Sequence, residues 1–153
     1  MDYKLLADRL ALRYASLTPP TKTGGGSYPA ITGSTATPPN ALPRSPFVVI
    51  WPTEGTITIM PGIADGLHTF VVNFYYAKHE GDIPRESAAL ASWLGVLLPA
   101  TYGALKLGYT DDTVMKAIPV SWAIGALVYA GVTYDGITIT INIWTKETVV
   151  LTP

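Results

Sequence analysis

Apolar and polar residues alternate most strictly near the C-terminal end of the chain. There Ile137, Ile139, Ile141 and Ile143 are interleaved with Thr138, Thr140, Asn142 and Trp144. A period of two marks a strand with one face buried and the other less so. The preceding row Trp122, Ile124, Ala126, Val128 and Ala130 supplies a matching partner. Together they predict two strands over residues 121–147 joined by a turn at 130–136, with Tyr134-Asp135-Gly136 as the hairpin signal. The rest of the chain must cover the isoleucine face.

Helical spacing occurs twice. Tyr3, Leu6, Ala7, Leu10, Tyr14 and Leu17 fall three and four apart behind the capping residue Asp2, and Pro19-Pro20 ends that helix. In the second case Asp82 is the cap, Pro84 lies in the first turn, and Glu86 favours the positive end of the helix dipole. Leu90, Trp93, Leu94, Leu97 and Leu98 then form a stripe wide enough to cover the isoleucines until Pro99 stops the helix. Short strands are predicted at 47–51 and 56–60, separated by Pro52-Thr53-Glu54-Gly55, and a longer one at 67–77. Residues 100–119 carry the weakest pattern: 101–107 fit a short helix or an irregular strand, and Asp111-Asp112 a turn. The expected fold is one α+β domain over residues 1–153: a mainly antiparallel sheet of about five strands covered by two principal helices.

Between the first helix and the first strand, residues 18–46 hold seven of the 13 prolines together with Gly24-Gly25-Gly26. So long a loop without secondary structure is usually disordered or given a task. Too polar to pack on itself, it is expected to lie against a neighbouring subunit through Tyr28, Ile31 and Leu42. The alternative is that it wraps its own domain. On the first reading, removing residues 24–36 leaves the domain folded and weakens assembly.

Composition sharpens this picture. Charged residues make up only 14% of the chain and its mean hydropathy is positive, yet no run approaches the roughly 18 apolar residues of a membrane span. Surplus apolar surface must go into the core or into contacts with other chains, and 153 residues limit the core. A net charge of −1 without a Lys/Arg stripe argues against tight nucleic-acid binding. The absence of cysteine removes disulfides, thiolate chemistry and Cys-ligated zinc, and the opening Met1-Asp2-Tyr3-Lys4-Leu5 lacks the charged-then-apolar order expected of a signal peptide.

No stretch carries a catalytic pattern. Thr23-Gly24-Gly25-Gly26-Ser27 lacks the lysine of a phosphate-binding loop. His79, Glu80 and Asp82 form a strand-to-helix turn rather than a spaced metal set, and Asp111-Asp112 reads as a solvated or capping turn before it reads as an acid pair. Trp51, Trp93, Trp122 and Trp144 are core or interface anchors, Trp93 belonging to the core and Trp144, opposite the isoleucines, to either. No catalytic, cofactor-binding or metal-binding residues and no cofactor are expected, and the chain reads as an assembly protein rather than an enzyme.

The opening Met1-Asp2-Tyr3-Lys4-Leu5-Leu6-Ala7-Asp8-Arg9-Leu10, the Pro84-Arg85-Glu86-Ser87 helix start with Trp93-Leu94, and the closing Tyr129-Ala130-Gly131-Val132-Thr133-Tyr134-Asp135-Gly136-Ile137 together resemble the small tail-terminator (tail-completion) proteins of long-tailed bacteriophages. That resemblance implies a virion protein assembled in the host cytoplasm. It also implies a hexameric ring that caps the tail tube, joins it to the head connector or stopper, and leaves an axial channel for DNA. The long 18–46 loop departs from the family. A channel that DNA traverses without being held should be neutral or acidic. Asp111 and Asp112, then Glu80 and Asp82, are the candidates to line it, or else they lie in solvated outer turns. Tyr28, Ile31, Leu42 and Trp144 are the candidate contacts with other subunits or partners. Competing readings are another neck component, a stopper or adaptor, and a small-ligand or peptide module using the loop as a lid over residues 70–76.

Overall fold

Asp2 caps the first helix as expected, its carboxylate accepting the Leu5 N–H at 3.0 Å. The computed structural model describes residues 2–80, 86–102 and 114–150. In order its elements are α1 (Tyr3–Ala15), β1 (Gly33–Thr35), β2 (Phe47–Met60), β3 (Ile63–Lys78), α2 (Ser87–Tyr102), β4 (Val114–Tyr129) and β5 (Val132–Thr148). The fold is α+β, with one five-stranded mixed sheet ordered β1-β2-β3-β5-β4 and two helices. Every pairing is antiparallel except β1 with β2. β3 and β4 therefore run in the same direction, and the crossover between them that carries α2 leaves a gap into which β5 inserts, paired on both sides.

The isoleucine row is the centre of the core. Ile137, Ile139, Ile141 and Ile143 are all fully buried, in one cluster with Phe70, Val72 and Phe74 of β3, with Leu6, Leu10 and Tyr14 of α1, and with Leu90, Trp93 and Leu97 of α2. α1 lies over β1 and β2, and α2 leans towards β4. The centroids of Trp93 and Phe74 are 5.2 Å apart, a tilted aromatic contact at the heart of the helix-on-sheet packing.

Four boundaries differ from expectation, each for a physical reason. The two short strands at 47–51 and 56–60 are one strand, because the Pro52 to Glu54 step is a bulge where β2 has passed the end of β1; at such an edge a proline need cost no ladder bond. The fifth strand is instead the three-residue β1, too short to show a period. The hairpin turns at Ala130-Gly131, both with positive φ (49° and 80°), while Tyr134, Asp135 and Gly136 lie inside β5. Gly136 is there for close approach: a Cβ on it would sit 2.2 Å from the Phe74 carbonyl oxygen. Finally, Pro99 does not stop α2, which runs to Tyr102. Pro99 and Gly95 are on the exposed side, where water can serve the carbonyl that loses its partner. Beyond the proline, the last turn is anchored on α1 by Arg13 Nε donating to the Ala100 carbonyl at 2.5 Å and by a Tyr14–Thr101 hydroxyl contact. Burial pushes the Tyr14 phenol up to about 12. The expected cap Asp82 and Pro84 lie outside the described residues.

The Gly/Pro-rich segment wraps its own domain. Tyr28 and Ile31 pack against the main core, Thr32 N–H donates to the Pro46 carbonyl at 2.8 Å, and β1 adds to the edge of β2. Leu42 joins a second cluster on the opposite sheet face with Phe47, Val49, Tyr75 and Tyr134, and Tyr129 Oη donates to the Pro39 carbonyl. All three anchors therefore pack on apolar surface of their own domain, and each remains partly exposed.

Ile141→Ala is expected to cost about 2–5 kcal/mol in urea unfolding; a loss under about 0.5 kcal/mol would contradict this packing. Deleting residues 24–36, which removes β1, Tyr28 and Ile31 together, should lower the melting temperature of the isolated domain by several degrees. An unchanged melting temperature would show that the segment adds nothing to its own fold.

Candidate functional site: two open sheet edges

Three places bring chemically notable side chains together. The first is a hollow of about 400 Å³ lined by Tyr3, Pro52, Thr53, Glu54, Gly55, Ile57 and His68. The His68 ring fits between two glycines, as a Cβ on Gly55 or Gly66 would meet its nitrogens at 2.7 and 2.3 Å. Its Nε2 is 3.0 Å from Thr145 Oγ1, and Tyr3 stands edge-on to it at 4.9 Å. Burial lowers the His68 pKa against the opposing field of Glu147. This is a satisfied core histidine at the floor of an open hollow.

The second place is the hydrogen bond between His79 Nδ1 and Asp135 Oδ1, 2.7 Å apart, with Asp135 buried. His79 N–H also donates to the Thr133 carbonyl at 2.9 Å, so both contacts tie the end of β3 to β5. Glu80 beside it is exposed. Among the described residues no group of three or more His, Cys, Asp or Glu could hold a metal ion. Asp82, Asp111 and Asp112 lie outside the described residues.

The third place is the sheet margin, where the surplus apolar surface lies. Two core-face rows are buried until they reach β4. Val48, Phe74 and Ile137 are fully buried but Ile124 at the end of their row is not; Ile50, Val72 and Ile139 are fully buried but Trp122 is 54% exposed. Val128, further along the same face, is 68% exposed. The mirror situation holds at the far end of β2, where Ile57 and Ile59, on the core face opposite Gly66 and Ala64, are 59% and 65% exposed. By register these patches lie at diagonally opposite corners of the sheet. Both are also edges: β1 covers β2 only at Phe47, Val48 and Val49, and β4 has no strand on its outer side among the described residues.

Of the other candidate contacts, Trp144 is half-buried on the polar sheet face with the Lys116 ammonium 4.3 Å from its ring centroid. Phe70 and Phe74, over which a ligand lid was the alternative, are fully buried in the core. Ile57, Ile59, Trp122 and Val128 were placed on strands by their alternation, with Trp122 read as a core or interface anchor, and the coverage of their outer faces was assumed. The signal available was the ratio of helices to strands.

His68 generates a pH prediction. Its folded pKa lies below the ordinary value near 6.5, so the unfolded chain takes up the proton first. The contribution is fully present above about pH 6.5 and lost as pH falls through that value towards the lower folded pKa. The fall in melting temperature between pH 7.5 and 5.5 should therefore be smaller in His68→Gln than in the wild type, each referred to its own value at pH 7.5. Equal falls would mean that the imidazole is not held neutral.

No helix among the described residues is long and apolar enough to cross a membrane. Comparison with protein-family models gives no match, and comparison with curated protein sequences gives none either.

Proposed function

We propose that this chain is a structural ring subunit of the head-tail junction of a long-tailed bacteriophage, capping the tail tube, joining it to the head connector and leaving a channel for DNA. The observation that carries this reading is the pair of open, apolar edges at opposite corners of one sheet. Soluble monomers rarely leave contiguous apolar patches uncovered, and long exposed edges are ordinarily blunted or covered. Two different edges on one chain suit head-to-tail association, which generates rings when the rotation closes. The resemblance of the helix starts and the C-terminal hairpin to tail-terminator proteins supplies the setting and the expected sixfold number. With a net charge of −1 and no basic stripe, such a ring would let DNA pass without holding it.

The role is structural rather than catalytic: His68 and His79 spend their hydrogen bonds on Thr145 and Asp135.

The reading is tested in infected cells. Phage made without the chain should accumulate filled heads and separate tails in electron micrographs, and a gold label on the chain in wild-type particles should mark the neck. Normally joined, infectious particles without the chain would sink the proposal.

A further inference from the structure

We infer that the two open edges are partners for each other: residues 121–129 of β4 in one copy pair, antiparallel, with residues 55–60 of β2 in the next. This rests on the ring reading and names the contact that would build it.

Direction fits first. β2 and β4 run in opposite senses within the sheet, so a second copy brought alongside in the same orientation presents its β2 antiparallel to the first copy's β4. Faces fit next. Ile57 and Ile59 of β2 and Trp122, Ile124 and Val128 of β4 all belong to the core face. A sheet continued across the junction sets these apolar side chains on one side, where they close over one another. Two hollows along β4 are there to receive them, one lined by Leu98, Pro119 and Trp122 and one by Leu90, Ile124 and Ala126 with Asp135, whose carboxylate is engaged by His79, at its side.

Charge and backbone irregularities agree. Neither stretch contains an ionisable acid or base apart from the Tyr129 phenol, so no like charges face each other. The devices that discourage edge pairing, prolines and bulges, are confined to Pro52–Glu54 on β2 and to Val114–Lys116 and Pro119–Ser121 on β4. The stretches beyond them are smooth ladders. Because the two patches are diagonal, a closed ring would carry its strands inclined to the ring axis, as strands are in closed barrels. A second copy is the occupant these features select, since the chain itself carries both complementary edges.

The test uses two variants with changes at exposed positions, so that the fold is retained and can be checked by circular dichroism. One is Trp122→Glu with Val128→Glu, the other Ile57→Glu with Ile59→Glu, and mass is read by light scattering against the 16.3 kDa chain. The wild type should form higher oligomers, each variant alone should be monomeric, and their mixture should stop at a 1:1 dimer, because each supplies the edge the other has lost. An Ile57/Ile59 variant that still dimerises while the Trp122/Val128 variant does not would mean a symmetric β4 to β4 contact, overturning the head-to-tail pairing. Wild-type oligomers untouched by both variants would overturn the pairing and leave the ring reading standing. A wild type that stays monomeric at all concentrations and on purified tail tubes would overturn the ring reading and the pairing with it.

Discussion

Two helices cannot cover this sheet. At about 1.5 Å per residue α1 and α2 are roughly 20 and 24 Å long, whereas strands of 14 to 17 residues at about 3.3 Å per residue extend to roughly 50 Å. A helix about 10 Å across spans about two strands at their spacing of about 4.8 Å. The helices therefore bury the middle of the core face and leave opposite corners bare. That mismatch of dimensions explains both the dense centre and the apolar margins.

At the centre, β5 is paired along both sides and its isoleucines meet α1, α2 and β3 in one cluster. It lies between β3 and β4, so the core closes only when β5 is in place. Polar groups support this arrangement at the ends of elements, where Arg13 and Tyr14 hold the last turn of α2 and His79 with Asp135 holds β3 to β5, and within the sheet, where Thr69 donates to Asn142 and Thr138 to Asn73 across the same two strands.

The 18–46 segment shows how the same deficit is met on one edge. It supplies β1 as an extra strand, Tyr28 and Ile31 on the core face and Leu42 on the other, so that the first residues of β2 are covered on every side. No such segment reaches the far half of β2 or the outer side of β4 among the described residues. The contrast between a covered and an open stretch of the same strand separates the apolar surface this chain covers for itself from the surface it leaves open.

The elements with strong local signals were legible in the amino-acid sequence: the capped α1, the Leu90 to Leu98 stripe of α2, the alternation of β5 and its pairing with β4. These depend on periodicity and capping, which the chain carries residue by residue. Boundaries that depend on a neighbour were not. Pro99 is tolerated because α1 holds the turn beyond it, Gly136 marks close packing of β5 on β3 rather than a turn, and Pro52 bends an edge rather than ending a strand. The proposed site was legible only as a surplus of apolar residues. Which of them remained outside was decided by the tertiary structure, because exposure depends on where two short helices rest on five strands, and nothing within the pattern of Trp122 and Ile124 distinguishes them from the buried Ile139 and Ile137 they pair with.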